Sequence, residues 1–380
     1  MKVLFATQYG MLAASSRTRV FQYLPYLQAQ GIETRVITVL PDRGLGGSQV
    51  QVTRSPWSKL RYYCWAAWRT FGCGLQVWWA AREAEVLLIQ KVIVPAPVRW
   101  LLRWRRPPVV YDFDDAIFTT EVRRQHWLVA WKQRRNATGL PAMLSLADHI
   151  LIENEYNAAF AARYCPAIST ITGPIDTRRY TPASEPGTLR EQVVLGWIGS
   201  ASTLSYLQLI REPLARLGRR FPQLRLRVIG ATAVELEGLP VEAQSWTLEG
   251  EVEGLRSFDI GLMPVPDDPW TRGKGGYKLL QYMATGLPVV ASPVGVNCQI
   301  VRDGDTGFWA HTPEEWEEYL ARLIGDPALR RQMGRRGRAV MEAEYALEVH
   351  GRGLAQILCQ VAGTRRGKAP RPRLPGAGGA

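Results

Sequence analysis

Short apolar runs alternate with helix-like stretches along most of this chain, and this alternation narrows the folds it can adopt. The first half contains six such runs, at 3–9, 33–40, 86–90, 109–115, 149–154 and 168–173. The second half contains four more, at 193–199, 224–230, 258–265 and 288–292. Stretches with the 3.6-residue period of a helix lie between most of them. Buried strands separated by helices predict parallel sheets covered on both faces.

The two groups of strands predict two doubly wound α/β domains. A chain of 380 residues is too long for a single hydrophobic core, because such cores stop growing at chain lengths of about 250–300 residues. A polar segment with two prolines and a glycine predicts a linker between the halves. We therefore expect a Rossmann-like domain at 1–175, a linker at 176–192, a second Rossmann-like domain at 193–345, a helix at 346–362 that packs back toward the first domain, and a disordered basic tail at 363–380. Ligands bind at the carboxyl ends of such strands, so we expect the site in the cleft between the domains.

The positive charge is concentrated in the first half of the chain. Residues 1–180 hold 23 Lys and Arg against 12 Asp and Glu, whereas the whole chain has a net charge of +13. This excess indicates an anionic partner, but no recognised nucleic-acid-binding module accompanies it. No apolar run reaches the roughly 18 residues of a membrane span. Without a signal peptide or paired cysteines, we expect a cytoplasmic protein.

The stretch "KGGYKLLQYMATGLPVVAS", residues 274–292, combines two lysines with a glycine-rich helix start. Lys274 precedes the predicted helix, while Lys278 and Gln281 share one side of its first turns. A helix start presents free N–H groups and the positive end of its dipole. Together with the lysines it forms a candidate diphosphate site, in which Gln281 would bind a neutral group such as a ribose hydroxyl. The alternative is a solvated helix start with surface lysines.

Several stretches resemble the family 4 glycosyltransferases of the GT-B fold, in particular one bacterial subgroup. The segment at 272–310 is similar to their C-terminal signature, and "ITGPIDTRRYTP" at 171–182 resembles the opening of their second domain. "SSRTRVFQYLPYL" and "VVYDFDDAIF" resemble the N-terminal domain of the subgroup. The resemblance implies an enzyme of the hexosyltransferase class (EC 2.4). It would move a sugar from a UDP- or GDP-type nucleotide-sugar, which is a substrate, with no cofactor and no metal.

The signature differs from the wider family at two positions. Where the family carries two glutamates, this chain has Gly273 and Gln281. The family's phosphate-binding Arg and Lys after the first strand of the second domain are also missing from "GWIGSASTLSYL". We infer that Lys274 and Lys278 supply that charge instead. The implied nucleotide-sugar site comprises Lys274, Lys278, Gln281, Gly199, Ser200, Gly275 and Gly276.

The acidic segment "DFDD" at 112–115 follows a predicted strand. It resembles the Asp-x-Asp metal site of the other glycosyltransferase fold, GT-A, but the GT-B resemblance argues against a metal here. That resemblance implies catalytic roles for Asp112 and Asp115 and contact of Asp114 with the acceptor. The alternative is that one Asp caps the next helix and the others are solvated.

The loop after the first strand, "QYGMLAASSRTR" at 8–19, supplies further candidates. The resemblance implies that Ser16, Arg17 and Arg19 lie across the cleft from the donor phosphates and contact the acceptor. The alternative assigns the serine to helix capping and the arginines to the surface. The four histidines are scattered and predict no metal site.

Two stretches rich in tryptophan and arginine, 57–82 and 98–108, have no obvious place in the site. In the first, Trp57, Leu60, Cys64, Trp68 and Phe71 follow helical spacing. They would either contact an anionic membrane surface or form part of the core.

Taken together, these features predict a retaining, metal-independent glycosyltransferase of polysaccharide biosynthesis. The expected acceptor is a hydroxyl of a glycan or lipid-linked molecule, and the expected location is the cytoplasm, with possible peripheral contact at the inner face of the cell membrane. One alternative is a catalytically idle GT-B scaffold in surface-polysaccharide assembly. Another is a related GT-B reaction such as nucleotide-sugar epimerisation or hydrolysis.

Overall fold

The computed structural model describes residues 1–42, 56–104, 106–119, 127–183, 192–231 and 235–364. The later part of the predicted linker, most of the predicted tail, Arg105 and His126 lie outside the described residues. Two six-stranded parallel sheets organise the chain. The prediction of two doubly wound α/β domains is therefore confirmed.

The first sheet has the strand order β2-β1-β3-β4-β5-β6. The β3 and β4 strands are buried along their whole length, which explains their continuous apolar runs. The strands are β1 (Lys2–Tyr9), β2 (Glu33–Leu40), β3 (Val86–Gln90), β4 (Val109–Asp112), β5 (His149–Ile152) and β6 (Ile168–Thr170). All six lie within or overlap the predicted runs, but β4 ends at Asp112 and leaves the rest of the acidic segment in the following loop.

Within the described residues, six α-helices connect these strands. They are α1 (Ala14–Arg19), α2 (Leu24–Ala29), α3 (Pro56–Ala80), α4 (Ala96–Leu102), α5 (Trp127–Leu144) and α6 (Glu155–Ala161). Helix α6 begins at an Asn154 N-cap, whose side chain accepts a 2.9 Å hydrogen bond from the backbone N–H of Asn157. Short 3₁₀ turns lie at Phe21–Tyr23 and Ala81–Glu83.

The second sheet has the order β12-β11-β10-β7-β8-β9. Its strands are β7 (Val193–Ile198), β8 (Leu224–Ile229), β9 (Val241–Gln244), β10 (Ile260–Met263), β11 (Val289–Ala291) and β12 (Gly307–Trp309). The two edge strands, β9 and β12, have no counterpart among the predicted runs. Most of β9 is exposed, and β12 is only three residues long, so neither produces a sustained apolar pattern.

The helices of the second half include a 3₁₀ segment at Ala201–Ile210, between β7 and β8. The α-helices are α7 (Arg211–Arg220), α8 (Glu251–Arg256), α9 (Pro269–Arg272), α10 (Tyr277–Ala284), α11 (Asn297–Ile300), α12 (Pro313–Gly325), α13 (Pro327–Val340) and α14 (Leu347–Gly363). A π-helical turn at Met341–Tyr345 leads into α14.

The last helix, α14, returns to the first domain. Its buried residues Leu354, Leu358 and Val361 share a hydrophobic cluster with Val3 and Phe5 of β1. The chain thus closes by packing its C-terminal helix against its first strand. Among the described helices, none is both long and apolar enough to cross a membrane.

Helix α13 packs closely against the turn that follows α10. A Cβ at Gly334 would overlap the carbonyl oxygen of Gly286, whereas one at Gly353 in α14 would meet nothing within 4 Å. We expect Gly334→Ala to lower the free energy of unfolding by roughly 1–3 kcal/mol, because backbone must move. The matched Gly353→Ala variant should raise it by up to about 1 kcal/mol through helix propensity. Denaturant unfolding of both proteins measures the difference, and equal effects would contradict the packing described.

Candidate functional site

Lys278, on the first turn of α10, is a partly buried cation at the carboxyl end of β7. Its Nζ lies 4.1 Å from the centroid of the Trp197 ring, and a Cβ on Gly199 would lie 2.6 Å from it. Among the described residues, no carboxylate forms an ion pair with Lys278. Burial, with repulsion from Lys274, lowers its pKa to about 7. An anion bound here would compensate the positive charge of Lys278.

The loop before α10 lies against the first domain through its backbone. The Asn157 amide donates a 3.0 Å hydrogen bond to the carbonyl of Gly273, and Asn154 donates one of 3.4 Å to that of Lys274. A Cβ on Gly275 would overlap the Glu153 carboxylate. Gly276, the N-cap of α10, has a φ of 65° that favours glycine. These glycines allow the lysine-bearing loop to approach the opposite domain closely.

Gln281 is buried beside the carboxylate of Glu251, which the sequence pattern did not indicate as a site residue. Its amide donates a 3.3 Å hydrogen bond to the Tyr180 hydroxyl, which in turn donates to Glu251 at the start of α8. Glu251 also accepts a 2.6 Å hydrogen bond from the Trp246 indole. A carboxylate and an amide therefore lie together one helical turn beyond Lys278, where polar hydroxyls of a ligand could be bound.

Arg17 links the two domains. Its guanidinium forms a 3.4 Å ion pair with Glu251, and both side chains are almost completely buried. It also stacks 5.2 Å from the Trp246 ring centroid. Removing either member of a buried pair leaves an uncompensated charge, so this contact holds the N-terminal loop against the second domain.

Arg19, by contrast, points into the first domain. Its Nε donates to both Asp112 oxygens, at 3.0 and 3.2 Å, and Nη1 lies 3.3 Å from Glu153. The Ile171 carbonyl accepts a further hydrogen bond from it. Arg19 and Asp112 are 4% and 1% exposed. Arg19, predicted to contact the acceptor, and Asp112, predicted to be catalytic, therefore form a buried ion pair. Neither lies at the open surface of the cleft.

Lys91 organises the remaining acidic residues. Its Nζ lies 2.6 Å from both Asp114 and Asp115, and its φ of 61° is in the left-handed region that most side chains avoid. Backbone held in this region is common at ligand sites. Asp115 also faces Lys274 across the cleft at 3.8 Å. Asp115 is thus the member of the acidic segment closest to the lysine-bearing loop.

Most of the predicted site residues lie at one cleft, but some of them are buried and others are exposed. Ser16 is buried and donates a 2.8 Å hydrogen bond to Gln90, which anchors the first loop. Ser200 bonds Ser202 at 2.7 Å on the exposed side. Sequence reasoning missed three charged residues of the cleft: Lys91, Glu153 and Glu251. The position of Lys91 directly after β3 was the available signal, because the carboxyl ends of parallel strands share one edge. Nothing in the local sequence marks Glu251.

Metal binding has no visible basis in the part of the chain that the structure describes. No three His, Cys, Asp or Glu side chains there are grouped as a metal site requires. The "DFDD" segment instead directs its carboxylates to Arg19 and Lys91.

Known structures share this architecture. Sucrose-phosphate synthase from Thermosynechococcus elongatus superposes with a TM-score of 0.68 at 15% identity, covering 96% of this chain and all of that one. Anabaena HepE in complex with UDP gives a TM-score of 0.65 at 16% identity, covering 95% of this chain and 100% of that chain. Two Rossmann-like sheets facing across a charged cleft place the protein in the GT-B class.

Sequence comparison finds a family match in the second domain. Residues 192–326 match the family described as "Glycosyl transferases group 1", so the second domain is a member of that family. A D-inositol 3-phosphate glycosyltransferase from Thermobifida fusca is 26% identical over 227 residues, which are 52% of this chain and 52% of that protein. The chain thus matches about half the length of this relative. This relative and the matched family are both named for glycosyl transfer.

The buried Glu153 generates a pH prediction. Burial raises its pKa to about 8, with Arg19 opposing the shift and the neighbouring aspartates adding to it. A carboxyl whose folded pKa is raised stabilises the fold fully below its unfolded pKa, and this contribution is lost as pH rises through about 8. Between about pH 5 and 8.5, we expect wild type to lose on the order of 1–4 kcal/mol relative to Glu153→Gln, at about 1.4 kcal/mol per pKa unit.

Urea unfolding at several pH values measures this difference. Glu155→Gln, at an exposed position two residues further on, is the control and should follow wild type. Parallel pH profiles for wild type and Glu153→Gln would contradict the raised pKa.

Proposed function

We propose that the protein transfers a sugar from a nucleotide-sugar to an acceptor hydroxyl, and that the unpaired Lys278 carries the donor diphosphate. A partly buried cation with no anionic partner among the described residues is costly unless a ligand compensates it. The free N–H groups at the start of α10 add positive potential at the same place. Fixed cations of this kind stabilise the charge that develops on a departing diphosphate.

The neighbouring groups fit the rest of a nucleotide. Gln281 lies one turn beyond Lys278 along α10, and Glu251 of α8 is linked to it through the Tyr180 hydroxyl. Both side chains are suited to bind ribose hydroxyls. Lys274 would bind the outer phosphate once it leaves its 3.8 Å contact with Asp115. The complex of Anabaena HepE with UDP supports a UDP-type donor, with a GDP-type donor as the alternative.

On the acceptor side, we assign the leading role to Asp115. Its side chain is 26% exposed and lies between Lys91 and Lys274, so it can reach an acceptor hydroxyl beside the leaving group. Asp112 is paired with Arg19, and Asp114 is paired with Lys91. Both aspartates would therefore hold neighbouring side chains of the site in place. Transfer with retention at the anomeric carbon and without a metal completes the proposal.

The acceptor we propose is a hydroxyl of a glycan or of a lipid-linked molecule in polysaccharide biosynthesis. The basic first domain supports an acceptor at an anionic membrane surface on the cytoplasmic side. An idle scaffold remains the second candidate, because Gly273 and Gln281 replace two carboxylates of the wider family. Nucleotide binding without turnover would favour that candidate.

The phosphate assignment is tested with Lys278→Ala. We expect nucleoside-diphosphate affinity to fall by roughly 1.5–3 kcal/mol, the range for hydrogen bonds to charged groups. Isothermal titration with UDP, GDP and ADP measures the loss and identifies the preferred base. Arg272→Ala is the control, because this exposed cation lies in the preceding helix and pairs with Asp267. Unchanged affinity in Lys278→Ala would refute the assignment.

Metal independence and the role of Asp115 are tested together by turnover. EDTA should leave turnover unchanged, while Asp115→Asn should lower it by about 10²–10⁴-fold, the usual contribution of a positioned acid or base. Nucleotide affinity measured on the same variant separates lost binding from lost chemistry. Activity that disappears with chelator and returns with Mn²⁺ would instead indicate a metal-dependent reaction.

A further inference from the structure

Helix α3 carries an apolar stripe on its outward face. Its members recur every three or four residues and so share one side of the helix. They are Trp57 at 78% exposure, Leu60 at 39%, Trp68 at 70%, Phe71 at 42%, Leu75 at 37% and Trp79 at 63%, with the exposed Cys64 between them. At 1.5 Å per residue the stripe is roughly 33 Å long.

The opposite face of α3 already fills the core of the first domain. Cys73, Val77 and Ala80 are buried there, and Trp65 and Trp78 pack partly against the same cluster. The tryptophans of this helix therefore divide into an inner and an outer set. Among the described residues, the outer set does not belong to this core cluster, and its exposure costs free energy in water.

The stripe is accompanied by cations and by no acidic residue on α3 or α4. Arg61 is exposed beside it, and Arg82 lies 4.2 Å from the ring centroids of both Trp78 and Trp79. Helix α4 and the turn after it add Trp100 at 59% and Trp104 at 63% exposure. Exposed indoles combined with basic residues suit the headgroup region of an anionic bilayer.

The orientation of α3 places its first half on the side of the cleft. Arg69 donates to the carbonyl of Val39 at 3.3 Å, at the carboxyl end of β2, while Leu75 and Trp79 lie beside Arg35 and Ile37 nearer its start. The helix therefore runs antiparallel to β2. Its turns from Trp57 to Trp68, roughly 18 Å of helix, extend beyond the edge of the sheet that forms the site.

We infer that the outward face of α3 is the docking surface of the protein on an anionic phospholipid bilayer, with the helix axis in the plane of the interface. Indole and phenyl rings enter the headgroup region, and the flanking arginines contact lipid phosphates. This geometry brings the acceptor side of the cleft to the membrane. Only this last step rests on the proposed function, since docking itself requires no catalysis.

Charge and shape favour a bilayer over a protein partner. The stripe lies on a convex helix surface that is basic on its flanks, which matches an extended anionic plane. A second copy of the chain would instead place two basic surfaces against each other.

Cys64 provides a direct probe, because it lies within the stripe. The other exposed cysteines are Cys298 and Cys359, whereas Cys73 and Cys165 are buried. The Cys298→Ser/Cys359→Ser protein is labelled at Cys64 with an environment-sensitive fluorophore. A protein labelled only at Cys359, through Cys64→Ser and Cys298→Ser, is the control. Vesicles of phosphatidylglycerol and phosphatidylcholine should shift the emission of the first label to the blue and leave the second unchanged.

Co-sedimentation with the same vesicles tests the tryptophans. We expect Trp57→Ser/Trp68→Ser to lower vesicle partitioning by about tenfold or more, given the apolar area removed. Leu209→Ser is the matched control, because Leu209 is 48% exposed but lies in the second domain. Pure phosphatidylcholine vesicles should bind the wild type less.

Two outcomes would overturn the inference. One is wild-type protein that stays in the supernatant with anionic vesicles at low salt. The other is a lipid-free dimer, seen by sedimentation velocity, whose formation is lost in Trp57→Ser/Trp68→Ser, since the stripe would then join two copies. UDP and GDP titrations on the same variants distinguish failure of the docking surface from failure of the proposed donor site. Intact nucleotide binding with failed docking refutes the membrane surface alone, whereas failed nucleotide binding in the wild type refutes the proposed donor site.

Discussion

The cleft depends on one cation, Lys278, that has no carboxylate partner in the part of the chain that the structure describes. The other cations of the cleft within the described residues are matched: Arg17 by Glu251, Arg19 by Asp112 and Glu153, Lys91 by Asp114 and Asp115, and Lys274 by Asp115. Lys278 instead faces an indole ring and the glycine at the end of β7. Desolvation of an unpaired ammonium is unfavourable, and the lowered pKa of Lys278 expresses that cost. The matched pairs hold the walls of the cleft in place, so the charge of Lys278 is available to a ligand.

Glycine makes this arrangement possible. Gly199 leaves room for the ammonium group, and Gly275 leaves room for Glu153 from the other domain. A side chain at either position would push the walls of the cleft apart. Glycine at 273 belongs to the same pattern, because the space beside it is taken by Ala116 and Asn157 of the first domain. Where the wider family carries a carboxylate, this chain therefore has a direct contact between domains.

The two domains contribute different groups to the cleft and its surroundings. The second domain contributes the unpaired lysine and the polar groups beside it, while the first contributes the acidic segment and the aromatic helix α3. Because α3 packs against β2 with its first half beyond the strand end, the outward stripe and the cleft lie toward the same side of the first domain. The proposed donor site and the proposed docking surface thereby lie on separate domains, each built on its own sheet.

The sequence by itself determined the two parallel sheets and the lysine-bearing helix start. Buried strands such as β3 are apolar throughout, and the spacing of Lys278 and Gln281 is a local property of one helix. It did not determine the edge strands β9 and β12, whose short or exposed segments carry no pattern. Only the tertiary structure decided which charges are paired, since Arg17 and Glu251 are far apart along the chain and meet through domain packing. It likewise decided that Arg19 and Asp112 are buried while Trp57 and Trp68 are exposed. Helical spacing defines a face of a helix, but only packing against the rest of the molecule determines whether that face is inside or outside.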